Sequence, residues 1–134
     1  MALYSNTTIP LPKGLQEHED MGGHLIKKHV SVTDLDLTQR LTDEPEISGA
    51  SRFNDLNTAE NVVRELLISN QQKIENWLKN RPGKFQTTIV HRATDINGRG
   101  ILRGNTSFDS LNNILVVLRR TGNDGFIYTG YPTW

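Results

Sequence analysis

The apolar positions of this chain change period once, and the change divides it. In NTAENVVRELLISNQQKIENWLKN, the residues Val63, Leu66, Leu67, Ile74, Trp77 and Leu78 recur at helical spacing and fall on one face, the stripe of a helix with one buried side. Asn57 stands as cap with Glu60 three residues later, and Arg81, Pro82 and Gly83 stop the run, so the spacing predicts one long helix between them. Beyond it the period becomes two and the residues turn β-branched and aromatic in FQTTIVHR, ILRG, NILVVLRR and FIYTGYP, which predicts strands. TGNDG reads as a five-residue hairpin loop and INGRG as a tight turn.

The first half is less regular. Residues 1–21 carry two prolines and Gly14 with no sustained period; they read as a leader or strap with little regular structure, ahead of a domain over 22–134. Leu25, Ile26 and Val30 predict a short helix, and Thr33 with Asp36 makes a capping-box variant that starts another, with a joint near Ser31. TDEPEISGAS reads as a loop and SRF as a short extended piece. Helices first and strands second predict an α+β fold, with N-terminal helices packed on a C-terminal twisted antiparallel sheet.

Composition narrows the function classes. The 134 residues include no cysteine, which removes a disulfide framework, a thiolate metal site and a cysteine nucleophile. No apolar run is long enough to span a bilayer, and Met1 leads into a polar, proline-bearing stretch rather than a basic and apolar signal segment. The net charge of zero hides an asymmetry: residues 1–72 hold six Lys/Arg against eleven Asp/Glu, and residues 73–120 hold nine against three. A basic second half suits a polyanionic partner such as RNA, although charges that simply solvate a surface fit the same counts.

The densest candidate chemistry is GGHLIKKHV, with His24, Lys28 and His29 directly after EHED. Arg40 follows His29 by eleven residues, about three helical turns. Histidine is the usual acid or base near neutral pH, and the arginine fork matches phosphate oxygens. The pair describes phosphoryl chemistry without a metal, with His29 taken as a solvent-reachable ring. His24 competes for the same role, or else ties down the start of its helix. In the last strand, alternation places Thr129 and Tyr131 on one face and Tyr128 and Gly130 on the other. His91, beside Arg92, either lines a basic groove or sits exposed at a strand end, and Arg119 adds a cation to the same half. Glu17, His18, Glu19, Asp20 and His24 lack the spacing of a zinc or calcium motif, so no metal and no cofactor are expected. Neither glycine turn has the strand–glycine–helix context of a nucleotide loop, and no G-x-S-x-G surrounds a serine.

GGHLIKKHV followed by TDLDLTQRL, SRF ahead of NTAENVV, the ILVVLRR strand and the closing YTGYP, in this order over about residues 22–132, together resemble the bacterial RNase A-like toxin domain at the C-terminus of contact-dependent growth inhibition proteins (CdiA). The resemblance implies a fold like pancreatic ribonuclease without its disulfides. It implies a metal-independent endoribonuclease toxin, cleaving RNA, with tRNA among the candidates, by attack of a 2′-hydroxyl to leave a 2′,3′-cyclic phosphate. Its catalytic set falls on His29, Arg40, Thr129 and Tyr131; apart from the resemblance, the residues themselves offer His24, Lys28, His91, Arg92 and Arg119 as substrate-binding candidates. The resemblance further implies a cognate immunity protein, a monomer outside that complex, secretion as the C-terminal part of a larger cell-surface protein, and action in the cytoplasm of neighbouring bacteria. A second histidine as partner acid has no counterpart here, and Gly130 predicts a loosened last strand. A non-catalytic RNA- or protein-binding module and a different toxin enzyme are the alternatives. The first would show loss of one of the four residues, and the second would show an acidic strand pair or a histidine-rich metal finger.

Overall fold

A computed structural model describes residues 11, 13–80, 84–122 and 124–134. The elements in chain order are α1 (Leu15–Asp20), α2 (Leu25–His29), α3 (Asp34–Asp43), β1 (Gly49–Phe53), α4 (Leu56–Ser69), α5 (Gln71–Lys79), β2 (Gln86–Arg92), β3 (Gly98–Leu102), β4 (Asp109–Leu111), β5 (Asn113–Thr121) and β6 (Asp124–Thr133). The fold is α+β, with two antiparallel three-stranded sheets in orders β1-β3-β4 and β2-β5-β6.

Local chemistry accounts for much of this. Thr33 accepts from the Asp36 amide at 3.1 Å and the Asp36 carboxylate accepts from Thr33 N–H at 2.8 Å. That reciprocal box satisfies two otherwise orphaned donors and starts α3 where the sequence places it. Several expectations shift. The fourth helix is capped by Asp55, whose carboxylate accepts from the Thr58 amide at 2.7 Å, rather than by Asn57. The expected long helix breaks at Asn70, whose side-chain amide donates to the Leu66 carbonyl at 2.8 Å and competes with the helical ladder there. INGRG is not a turn: Gly98 and Gly100 belong to β3. There a Cβ on Gly98 would lie 2.4 Å from the Pro132 ring, so the glycine answers close packing rather than chain reversal. The stop at Arg81, Pro82 and Gly83 lies outside the described residues.

The last hairpin is tighter than a five-residue loop, since pairing runs out to Thr121 opposite Asp124. Within residues 1–21, where little regular structure is expected, Leu15–Asp20 form α1, and Leu11, Leu15 and His18 are buried.

The core lies between α4 and the sheet β2-β5-β6. Ala59, Val62, Val63, Leu66 and Leu67 of α4 pack with Ile74, Ile89, Ile114, Val116, Leu118 and Ile127. Each fully buried Leu or Ile contributes about 1.5–3 kcal/mol. Strand pairing fixes which residues share a face. Ile89, Val116 and Gly130 turn toward the helices, whereas Val90, Leu115 and Tyr131 turn away. Gly130 does not loosen β6. A Cβ there would lie 2.9 Å from Leu25 Cδ1 and 3.1 Å from the Leu115 carbonyl, so its small size lets α2 press against the strand. The two sheets meet along β6, where Ser51 Oγ of β1 donates to the Pro132 carbonyl. Among the described residues no helix is long and apolar enough to cross a membrane.

Candidate active site

α2, α3, β1 and β6 converge on a cavity of about 350 Å³. Among its lining residues are His29, Arg40, Ser51, Tyr131 and Trp134. Each side chain has a local reason to be there. His29 ends α2, and its Nδ1 lies 3.0 Å from the Ser51 carbonyl of β1. A carbonyl only accepts, so Nδ1 carries the proton and Nε2 keeps the lone pair. The ring is 4 % exposed, not solvent-reachable as expected from sequence. Burial drives its pKa down to about 4; the Ser51 contact works against the shift, and Arg40, His24 and Lys28 reinforce it. His29 is therefore neutral, a proton acceptor, at physiological pH.

Arg40 sits on the last turns of α3 and gives its Nε to Glu44 at 2.8 Å. That bond holds the Glu44 carboxyl below its usual pKa. It also fixes the guanidinium plane while leaving the terminal nitrogens for a ligand. Tyr131 on β6 tilts against His29, with ring centroids 5.1 Å apart. Thr129 shares the face of Tyr131 but does not line the cavity. It is 9 % exposed, and its hydroxyl is buried without a hydrogen-bond partner.

A β-bulge alters the expected alternation. Val117 pairs with Thr129 and Leu118 with Ile127, which leaves Tyr128 as the extra residue and turns it out of the helix-facing set. Tyr128 joins a second cluster on the open face. The Arg119 guanidinium lies 3.3 Å from the Tyr128 ring centroid and 5.3 Å from that of Phe85, and His24 meets Tyr128 edge-on at 4.4 Å. His24 is the cap residue of α2, its amide bonded to the Tyr128 carbonyl at 2.8 Å. Burial and then the Lys28 charge lower its pKa. Lys28 is exposed one residue before His29.

The remaining candidates separate. Arg92 is exposed and pairs in register with Asn113 opposite Thr133, on the open face. His91 falls on the helix-covered face, 3.2 Å from Glu65 of α4, so it does not join the site. The expected metal-ligand imitators have structural duties. His18 Nδ1 accepts from the Ile127 amide at 2.9 Å, and Glu19 accepts from the Ile26 amide. Not all of the cations of the basic second half are free for a ligand either. Arg120 is committed to the carbonyls of Trp77, Leu78, Asn80 and Lys84. Arg103 binds those of Glu44 and Ile47.

Sequence reasoning missed Glu44 and Ser51. Glu44 was visible as an i, i+4 partner of Arg40. Ser51 acts through its backbone carbonyl, which leaves no mark on residue identity. A larger hollow of about 440 Å³ beside α4 is lined by Glu65, Asp95 and Asn97 and, among the described residues, by no cation. Its acidic lining disfavours phosphate, so size does not locate the chemistry.

Comparisons with known proteins bear on the family and the fold. Residues 23–132 match the family described as the bacterial CdiA-CT RNAse A domain. The chain is also similar to a solved CdiA-CT/CdiI complex from Y. kristensenii, at 33% identity and a TM-score of 0.73, covering 84% of this chain and 100% of that one. No curated protein matches.

Proposed function

The chain belongs to the bacterial CdiA-CT RNase A domain family, and from that premise we propose that it is a metal-independent endoribonuclease toxin whose chemistry is carried by His29, Arg40, Tyr131 and Thr129. The observation that carries the reading is the state of His29: buried, neutral, with Nδ1 given to Ser51 and the Nε2 lone pair free, in one cavity with Arg40 and Tyr131. Nε2 takes the proton from a ribose 2′-hydroxyl. The resulting oxygen attacks the adjacent phosphorus, and the bond to the 5′ oxygen breaks. A 2′,3′-cyclic phosphate and a free 5′-hydroxyl result.

Charge building on the phosphoryl oxygens meets the Arg40 guanidinium, a fixed donor of the kind whose removal costs about 2.7–4 kcal/mol. Tyr131 passes its phenolic proton to the leaving 5′ oxygen; the phenolate is reprotonated from solvent while His29 Nε2 returns to solvent the proton it took, so the enzyme is restored. Thr129, with its unpartnered hydroxyl, positions the phosphate or a base. Lys28, Arg92, Arg119 and His24 hold flanking RNA, tRNA being one candidate, and that part of the affinity falls with salt. Among the described residues no three His, Asp or Glu side chains are grouped to hold a metal ion. The scheme itself needs only positioned acids, bases and charge.

By analogy with the CdiA-CT/CdiI complex, the chain is a monomer until an immunity protein binds it. It reaches the cytoplasm of target bacteria as the C-terminal part of a larger cell-surface protein. Incubation of the protein with total RNA in EDTA tests the enzyme class: cleavage is expected, and dependence on added divalent ions or an intact, shifted RNA would replace this reading with a metal enzyme or a binding module.

A further inference from the structure

Trp134 forms one wall of the His29 cavity, outside the residues that match the family. Its indole is held in place from two sides. Nε1 donates to the Asp109 carboxylate of β4 at 2.8 Å. The six-membered ring lies against Gly49 of β1 and Gly100 of β3, where an added Cβ would come within 2.9 and 2.7 Å of Cη2. Two side-chain-free positions on paired strands thus make a shelf for the ring, and all three strands of that sheet contribute to its placement. Even so, 41% of Trp134 remains exposed. A rigid, anchored aromatic with uncovered surface at the mouth of a cavity is pre-organised for a flat apolar ligand.

We infer that Trp134 is a stacking wall for the nucleobase of a nucleotide flanking the phosphate held by Arg40. The inference rests on the ribonuclease reading, which places that phosphate there. His29 and Tyr131 are packed on each other, so their rings offer little free surface to a base, whereas the Trp134 ring does. The cavity, about 350 Å³, falls in the range of pockets that take a small organic ligand. Stacking accepts any base, because each has a π-face. Ser48, Thr133 and Glu46 on the same lining supply hydrogen-bonding groups that would discriminate among base edges.

The test uses the unmodified full chain and short oligoribonucleotides made uncleavable by a 2′-deoxy sugar at the attacked position. One version carries its bases, and another is abasic at each flank of the scissile phosphate in turn. Fluorescence anisotropy should show loss of one flanking base weakening binding by about 5- to 150-fold. Trp134→Leu, which keeps the shelf covered but removes the ring, should weaken the base-containing ligand by a similar factor and leave the abasic one within about twofold. Equal loss on both ligands, or none on either, overturns the inference.

Tryptophan emission of Trp77→Phe, which leaves Trp134 as the sole indole of the chain, gives a second reading. Quenching by the base-containing ligand and not by the abasic one supports the stacking wall, and equal emission with both overturns it. RNA cleavage is measured in parallel. Cleavage without a base-dependent effect at Trp134 removes this subsite alone, while base-dependent binding without cleavage removes the nuclease reading and leaves the subsite standing.

Discussion

Acid should unfold this protein through two histidines before its carboxylates titrate. His18 and His29 are 1% and 4% exposed, and burial brings each pKa from 6.5 to about 4. His18 is held neutral by its partner as well, since its Nδ1 must accept from Ile127 N–H, whereas His29 donates Nδ1–H to the Ser51 carbonyl in either state and is kept neutral by burial against that contact. Above pH 6.5 the folded and unfolded chains both leave these rings neutral, and stability is complete. As pH falls below that value the unfolded chain takes up protons that the folded chain refuses, so stability declines until the folded rings also protonate near pH 4. At pH 5.5 about 1.8 protons separate the states, a slope of about 2.4 kcal/mol per pH unit. Over the whole window each ring accounts for about 3 kcal/mol, against a total near 5–15 for a domain of this size. Glu44 and Asp55 have lowered pKa values, so their contributions disappear only below the ordinary carboxylate range. Urea unfolding at half-unit steps from pH 8 to 4.5 reads the slope directly. His18→Asn, which keeps an acceptor for the Ile127 amide, should roughly halve it. A flat profile between pH 7 and 5, or an unchanged slope in His18→Asn, would refute the reasoning from burial.

The same lowered pKa predicts that kcat/KM stays level from pH 8 to 5 and does not fall at pH 6.5; an acid limb at 6.5 in the cleavage profile would show His29 to be solvated. His29→Asn, whose amide can still donate to Ser51, should lose about 10²–10⁴ in kcat with the fold retained by circular dichroism. Arg40→Lys should cost roughly 10² or more in kcat, since a point charge replaces the fork, whereas Glu44→Gln, breaking a partly exposed pair, should cost at most about fivefold. Gly130→Ala should destabilise by about 1–3 kcal/mol in thermal or urea unfolding, because the added methyl meets Leu25 and the Leu115 carbonyl.

What the sequence made legible was local. The capping box of Thr33 and Asp36, the apolar stripe of α4 and the alternation in β2, β5 and β6 each depend on residues within one element, so spacing exposes them. The break at Asn70 turns on one amide choosing the Leu66 carbonyl, and an apolar stripe cannot report it. Gly98 and Gly100 read as turn residues because turns and tight strand packing both demand a missing side chain; only the approach of Pro132 and Trp134 distinguishes them. Within the first 21 residues, α1 was hidden because His18 is explained by a strand 109 positions away. At the site, His29, Arg40 and Tyr131 were legible as chemistry and do share a cavity. Thr129 lies beside it with its hydroxyl unpartnered, and the choice between a basic groove and an exposed strand end for His91 stayed open in the sequence, because a face cannot be assigned before strand register is known. The bulge that turns Tyr128 out of the helix-facing set and the carbonyl that fixes His29 belong to backbone geometry, which leaves no trace in composition.

The central claim is that His29 and Arg40, with Tyr131 and Thr129, act on one phosphodiester by intramolecular attack. End-group mapping of RNA cut by the purified protein in EDTA tests it most directly. The account predicts 2′,3′-cyclic phosphate at one new end and a 5′-hydroxyl at the other, with both lost in His29→Asn. New ends bearing a 3′-hydroxyl and a 5′-phosphate, or cyclic ends that persist in His29→Asn, would contradict it.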